Sequence, residues 1–156
     1  MPNECWATSN PFPELEDGDN INGSLGPNGW LMDISAGSVF GALKGYSWEK
    51  LTQVTHDVPL FLDCWWVDGW PKDTDVPQNN PNDTTTWSIN ANPMQRFNID
   101  RHSGGVSGVY MDGSCTNIGL KALWKLRWHK KFDTSNTYTL PVADWPDWMQ
   151  GFNDKH

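Results

Sequence analysis

An α+β domain, an antiparallel sheet with short helices and long loops, is predicted from three features of this chain. Apolar and polar residues alternate with a period of two around 97–118, and an apolar run of strand length spans 58–67. Helical segments are expected only as short stretches near 47–53 and 120–131. Gly and Pro number 14 and 11, while charged residues make up only 19%, so much of the chain is turn. A length of 156 residues supports one core without heavy cross-linking, and 1–156 is read as a single domain.

Taken in order, the first strand is V-P-L-F-L-D-C-W-W-V over 58–67. It is the longest apolar run, yet Asp63 interrupts it and it falls far short of the ~20 residues that cross a bilayer. Strand alternation sends Trp65 and Trp66 to opposite faces, which leaves one of them partly exposed. The same rule separates Asp63 from Asp68 and argues against a paired glycosidase-type site.

Residues 72–86, K-D-T-D-V-P-Q-N-N-P-N-D-T-T-T, are polar without periodicity and read as a solvent-exposed loop. Asp73, Asp75, Asn79, Asn80 and Asp83 supply hard oxygen donors, which makes calcium the first metal to try there. The segment lacks the glycine and terminal glutamate of an EF-hand. Zinc has little support, because His56, His102, His129 and His156 show no paired spacing with the three cysteines.

The hairpin is the most informative segment. Phe97, Ile99 and Arg101 alternate with Asn98, Asp100 and His102, and Ser103, Gly104 and Gly105 supply a turn. That register sets His102 opposite Val106, Ile99 opposite Val109 and Phe97 opposite Met111. Asp112 and Gly113 then turn the chain again. His102 and Asp112 lie roughly 20 Å apart at ~3.4 Å per residue and cannot form a dyad. Each is expected to hold its own turn, the histidine through loop backbone and the aspartate through an Asx-type bond beside a left-handed glycine.

Eleven tryptophans are far above ordinary usage. Trp124 and Trp128 share a face of the expected helix and read as core. Trp145 and Trp148 flank Pro146 and read as a latch that folds the C-terminal segment onto the body. Trp66, Trp70 and Trp87, with Asn79, Asn80 and Asn82 nearby, are the residues from which a sugar-stacking surface would be built.

The segment 94–113, M-Q-R-F-N-I-D-R-H-S-G-G-V-S-G-V-Y-M-D-G, resembles the C-terminal signature of the prepilin-type processing-associated H-x9-D-G proteins, pilin-like chains of planctomycete-type bacteria. The stretches 23–30, 58–71, 118–129 and 144–152 resemble further blocks of that family. The resemblance implies a pilin-like globular head, outside the cytoplasm at the cell surface or in the periplasm. Its partners would be other pilin-like subunits or a subunit bearing the N-terminal helix. His102, Gly104, Gly105, Asp112 and Gly113 would be its structural motif. Major pseudopilins of related design hold calcium in a head loop, which adds to the interest of 73–83. Members of the family begin with a basic leader and a long hydrophobic helix. This chain opens M-P-N-E-C-W, so a head lacking its assembly helix is expected, and a head of net charge −8 should stay monomeric by itself.

That charge also argues against nucleic acid, which is held by clustered Lys and Arg. The local basic run of Lys125, Arg127, Lys130 and Lys131 reads as a solvated helix face. No nucleophile elbow, phosphate loop, zincin motif or C-x-x-C occurs. The expected function is therefore structural and non-enzymatic, in filament assembly or secretion. A Trp-rich module for extracellular polysaccharide ranks second, and a hydrolase of extracellular polymer third. Of the three cysteines, Cys64 and Cys115 would pair if their strands lie side by side, leaving Cys5 over. Three reduced thiols fit the sequence equally well.

Overall fold

A computed structural model describes residues 6–9, 20–23, 25–32, 45–80, 92–139 and 144–152. Strands β1 (Trp6–Ser9) and β2 (Asn20–Gly23) form an antiparallel pair. The main sheet has four antiparallel strands in the order β3 (Leu25–Pro27), β4 (Pro59–Asp63), β5 (Gly105–Tyr110) and β6 (Cys115–Gly119). Among the described residues, short 3-10 turns and the helical turn α1 (Asp147–Gln150) accompany these strands in an α+β arrangement.

The β5–β6 hairpin follows from local chemistry. Gly113 takes a positive φ of 81°, Gly113 N–H donates to Tyr110 O at 2.9 Å and Tyr110 N–H donates to Ser114 O at 2.9 Å. A left-handed position of this kind favours glycine because it has no Cβ to clash. On its other side β5 pairs with β4, Val109 opposite Phe61 and Gly108 opposite Leu62, and the register slips between Pro59 and Phe61. A proline at the first strand position, with no N–H to donate, tolerates such a bulge.

That pairing overturns the expected hairpin turn at Ser103–Gly105. The flank of β5 that residues 97–101 would need is occupied by β4. The chain coils there instead, with Ile99 N–H donating to Phe97 O and Arg101 N–H to Ile99 O. Phe97, Asn98 and Ile99 are all buried, so the apparent alternation was not a two-faced strand. Val109 faces Phe61 and Cys115 rather than Ile99, and His102 N–H closes onto Gly105 O at 3.1 Å.

β4 also ends sooner than its apolar run. Trp65 N–H donates to Arg96 O, which pulls the chain out of the sheet after Asp63. Trp65 and Trp66 pack edge to face at 6.2 Å, both half-buried, instead of lying on opposite sheet faces. The expected helix at 47–53 shrinks to the 3-10 turn Leu51–Gln53. That at 120–131 shrinks to Leu120–Lys125, after which Leu126 is extended. The cause of the second break is visible at Trp128, whose carbonyl accepts from Asn28 Nδ2 at 3.0 Å and from Trp48 Nε1 at 3.1 Å. Trp124 and Trp128 are nonetheless fully buried. Trp128 lies against Phe97 at 4.8 Å, and Trp124 against Tyr138 and Trp145 at 5.4 Å each.

Candidate functional site

The histidine end of the motif is built around Asp63, the last residue of β4. Its Oδ2 accepts from Ser107 N at 2.6 Å and lies 2.9 Å from His102 Nε2, while Arg101 Nη1 is 3.4 Å from Oδ1. The Asp63 side chain is 8% exposed and that of His102 46%. A ring nitrogen facing a carboxylate carries the proton, so Nε2 donates. The bond therefore reaches across the sheet to a buried carboxylate and not to loop backbone, which corrects the expected role of His102. A backbone contact does exist in this turn, through another side chain: Asp100 Oδ1 accepts from Gly104 N at 2.6 Å.

Two glycines of the turn are required by close approach. Gly104 has a φ of 91°, and a Cβ there would stand 2.7 Å from the Phe152 ring. A Cβ on Gly105 would strike the Asn117 side chain.

At the far end of β5, Asp112 Oδ1 accepts from Ser114 N at 2.9 Å, an Asx-type bond. Those bonds to Ser114 hold its exposed carboxyl below the usual range. His102 and Asp112 thus flank opposite ends of a six-residue strand, at a separation of roughly 20 Å at ~3.4 Å per residue. They serve two distinct junctions.

The other expected site residues are dispersed. Asp75 is buried and its Oδ2 accepts from both Lys72 N and Met94 N at 2.9 Å. Burial pushes its carboxyl up to about 6, and those amides pull it back. The part of the loop up to Asn80 is not wholly solvated as expected, since Asp75, Pro77 and Gln78 are buried. Trp124 Nε1 donates to Asp75 O and Trp148 Nε1 to Gln78 O, both at 2.8 Å, so tryptophan N–H groups pin the segment. Asp73 instead neighbours His129, at 3.9 Å, and Asn79 and Asn80 face solvent. Among the described residues no group of three or more His, Cys, Asp or Glu side chains is placed to hold a metal. Asp83 and Trp87 lie outside the described residues.

Trp70 is 2% exposed, edge to face with Trp30 at 5.5 Å, which removes it as a sugar platform. Trp66 is half-buried with Arg96 above its ring at 6.0 Å. Arg96 also binds Asp68 Oδ1 at 2.9 Å. Burial raises the Asp68 carboxyl and the guanidinium draws it back. Asp63 and Asp68 therefore have separate partners. Trp145 and Trp148 do latch the C-terminal segment. Trp145 is buried against Trp124 and Tyr138, and Met149 is sealed in the core. Cys64 is buried, and burial pushes its thiol up to about 12. Cys115 is exposed on β6, and both are free. The Cys64–Cys115 bond is absent because β5 lies between β4 and β6. Cys5 lies outside the described residues.

Asn28 and His129 gave no advance sign of their roles. Asn28 is buried, donates to Pro59 O and Trp128 O, and accepts from Trp30 N. His129 is sealed among Trp30, Tyr46 and Phe132 at 4.7 to 5.2 Å. Its Nδ1 accepts from Lys131 N, and burial lowers its pKa to about 4. No spacing rule announces either residue, because each depends on contacts from distant segments.

No family model, no curated protein and no solved structure matches this chain.

Proposed function

We propose that this chain is a non-enzymatic interaction head of the pilin-like kind, working at or beyond the cell envelope through contacts with partner subunits. The observation that carries the reading is the way its motif histidine is used. His102 ties the 101–107 turn to the Asp63 carboxylate at the end of β4, so the motif acts as a fastening between two sheet segments. The stretches that carry the family resemblance fasten onto one another in the same manner. Asn28 holds Trp128, Trp30 Nε1 donates to Pro71 O at 2.7 Å, Arg96 holds Asp68, and Lys121 Nζ donates to Gln150 O at 3.2 Å. Polar groups used in this way serve architecture, which supports recognition rather than turnover.

Among the described residues no helix is long and apolar enough to cross a membrane, and pilin-type assembly relies on such a helix. The test is light scattering and electron microscopy on these 156 residues, alone and fused to an apolar N-terminal helix. Monomers in the first case and ordered filaments in the second support the reading. Filaments from the bare chain, or none from the fusion, contradict it.

A further inference from the structure

A groove of about 340 Å³ opens beside the Asp112 turn, lined by His56, Asp57, Tyr110, Asp112, Lys125 and Arg127. Its basic wall follows from the break in the expected helix. Leu126 is extended and buried, and its two neighbours, Lys125 at the end of the 3-10 turn and the exposed Arg127, both line the groove. Among the described residues Arg127 makes no ion pair. Its guanidinium lies over the Trp48 ring at 5.5 Å, and that indole is itself fixed by its bond to Trp128 O. The ring contact anchors an exposed guanidinium that lines the groove, and a guanidinium is the group suited to a two-pronged bond to a carboxylate. The groove is also lined by Asp57, Asp112 and Tyr110, both carboxylates close enough to act on the tyrosine hydroxyl. Burial and those two carboxylates push the Tyr110 hydroxyl up, so it remains a donor.

We propose that this groove binds a uronic acid residue of an acidic polysaccharide, Arg127 taking the sugar carboxylate while Asp57 and Asp112 accept from its ring hydroxyls. An anion without hydroxyl donors would be repelled by the two aspartates. A neutral sugar would leave the guanidinium edge unused. A zwitterionic amino acid meets both charges, but the aryl edge and the size of the groove suit a ring. Neither Trp66 nor Trp70 lines this groove, and the site does not depend on filament assembly.

The test is calorimetric and NMR titration of the purified chain with a galacturonic acid trisaccharide, the neutral galactose trisaccharide of the same linkage, and free lysine. The account expects binding of the acidic sugar alone, with shifts centred on Tyr110 and Arg127. Arg127→Gln should weaken it at least ~10-fold and Arg127→Lys should recover only part, since an ammonium lacks the planar fork. Arg127 is exposed, so both variants should melt as the parent does. Equal binding of the neutral sugar, preference for lysine, unchanged affinity in Arg127→Gln, or no binding up to ~10 mM would each overturn the proposal.

Discussion

The two ends of β5 are fastened by different physics. At the His102 end a nearly buried carboxylate gathers a backbone amide, an imidazole and a guanidinium from residues about 40 positions away in sequence. At the Asp112 end an exposed carboxylate bonds an amide two residues on, beside a glycine in the left-handed region. The first junction depends on the assembled fold and the second is local. A single motif thus joins a tertiary clamp to a self-contained turn, and the two should respond very differently to perturbation.

The largest effect is expected at the clamp. Asp63→Ala removes the acceptor for Ser107 N and both side chains, and should cost ~2 to 4 kcal/mol, because buried groups lose a charged partner. Denaturant melts measure it directly. A loss below ~1 kcal/mol would make the clamp no stronger than the turn.

Two other buried titratable groups extend the contrast between sealed and solvated sites. His129 has its folded pKa lowered to about 4 from the ordinary 6.5. Its contribution is present above pH 6.5 and is lost as pH falls toward 4, because the unfolded chain then binds a proton that the folded chain does not. Asp75 is raised to about 6 from 3.8, so its contribution is present below pH 3.8 and is lost as pH rises through about 6. The two slopes oppose one another between pH 4 and 6, at up to ~3 kcal/mol each. Asp75→Asn should therefore unmask a stability that falls on acidification, and His129→Asn one that rises. Parallel profiles for both variants and the parent would refute the pairing.

Smaller effects separate the glycines. Gly113 faces open space, so Gly113→Ala meets only the backbone penalty of ~1 to 2 kcal/mol. Gly104→Ala meets that penalty and the Phe152 ring as well. It should cost more, and part of the excess should vanish in a Phe152→Ala background. Equal costs at the two glycines would erase the difference in packing between the ends of β5.

The same contrast explains what could be read in advance. The turn at Asp112 and Gly113, the burial of Trp124 and Trp128 and the docking of Trp145 and Trp148 were legible, because each rests on local spacing or bulk apolarity. The partner of His102 was not, since Asp63 reaches it only when β4 pairs with β5. Alternation over 97–102 misled because a buried coil can mimic a strand when polar atoms such as Asn98 O are satisfied from afar, here by Gln78 Nε2 at 2.7 Å. Asp75 resembled a cation ligand for the same reason, as its partners are amides of its own loop and of the distant Met94. The groove at Arg127 escaped notice because a helix was expected where the chain is extended.

The central claim is that His102 and Asp112 act at separate junctions, and double-mutant cycles on stability test it most directly. His102→Ala combined with Asp112→Ala should be additive within ~0.5 kcal/mol, as for sites far apart without shared partners, whereas His102→Ala combined with Asp63→Ala should couple by ~0.5 kcal/mol or more. Strong coupling between His102 and Asp112, or none between His102 and Asp63, would contradict the account.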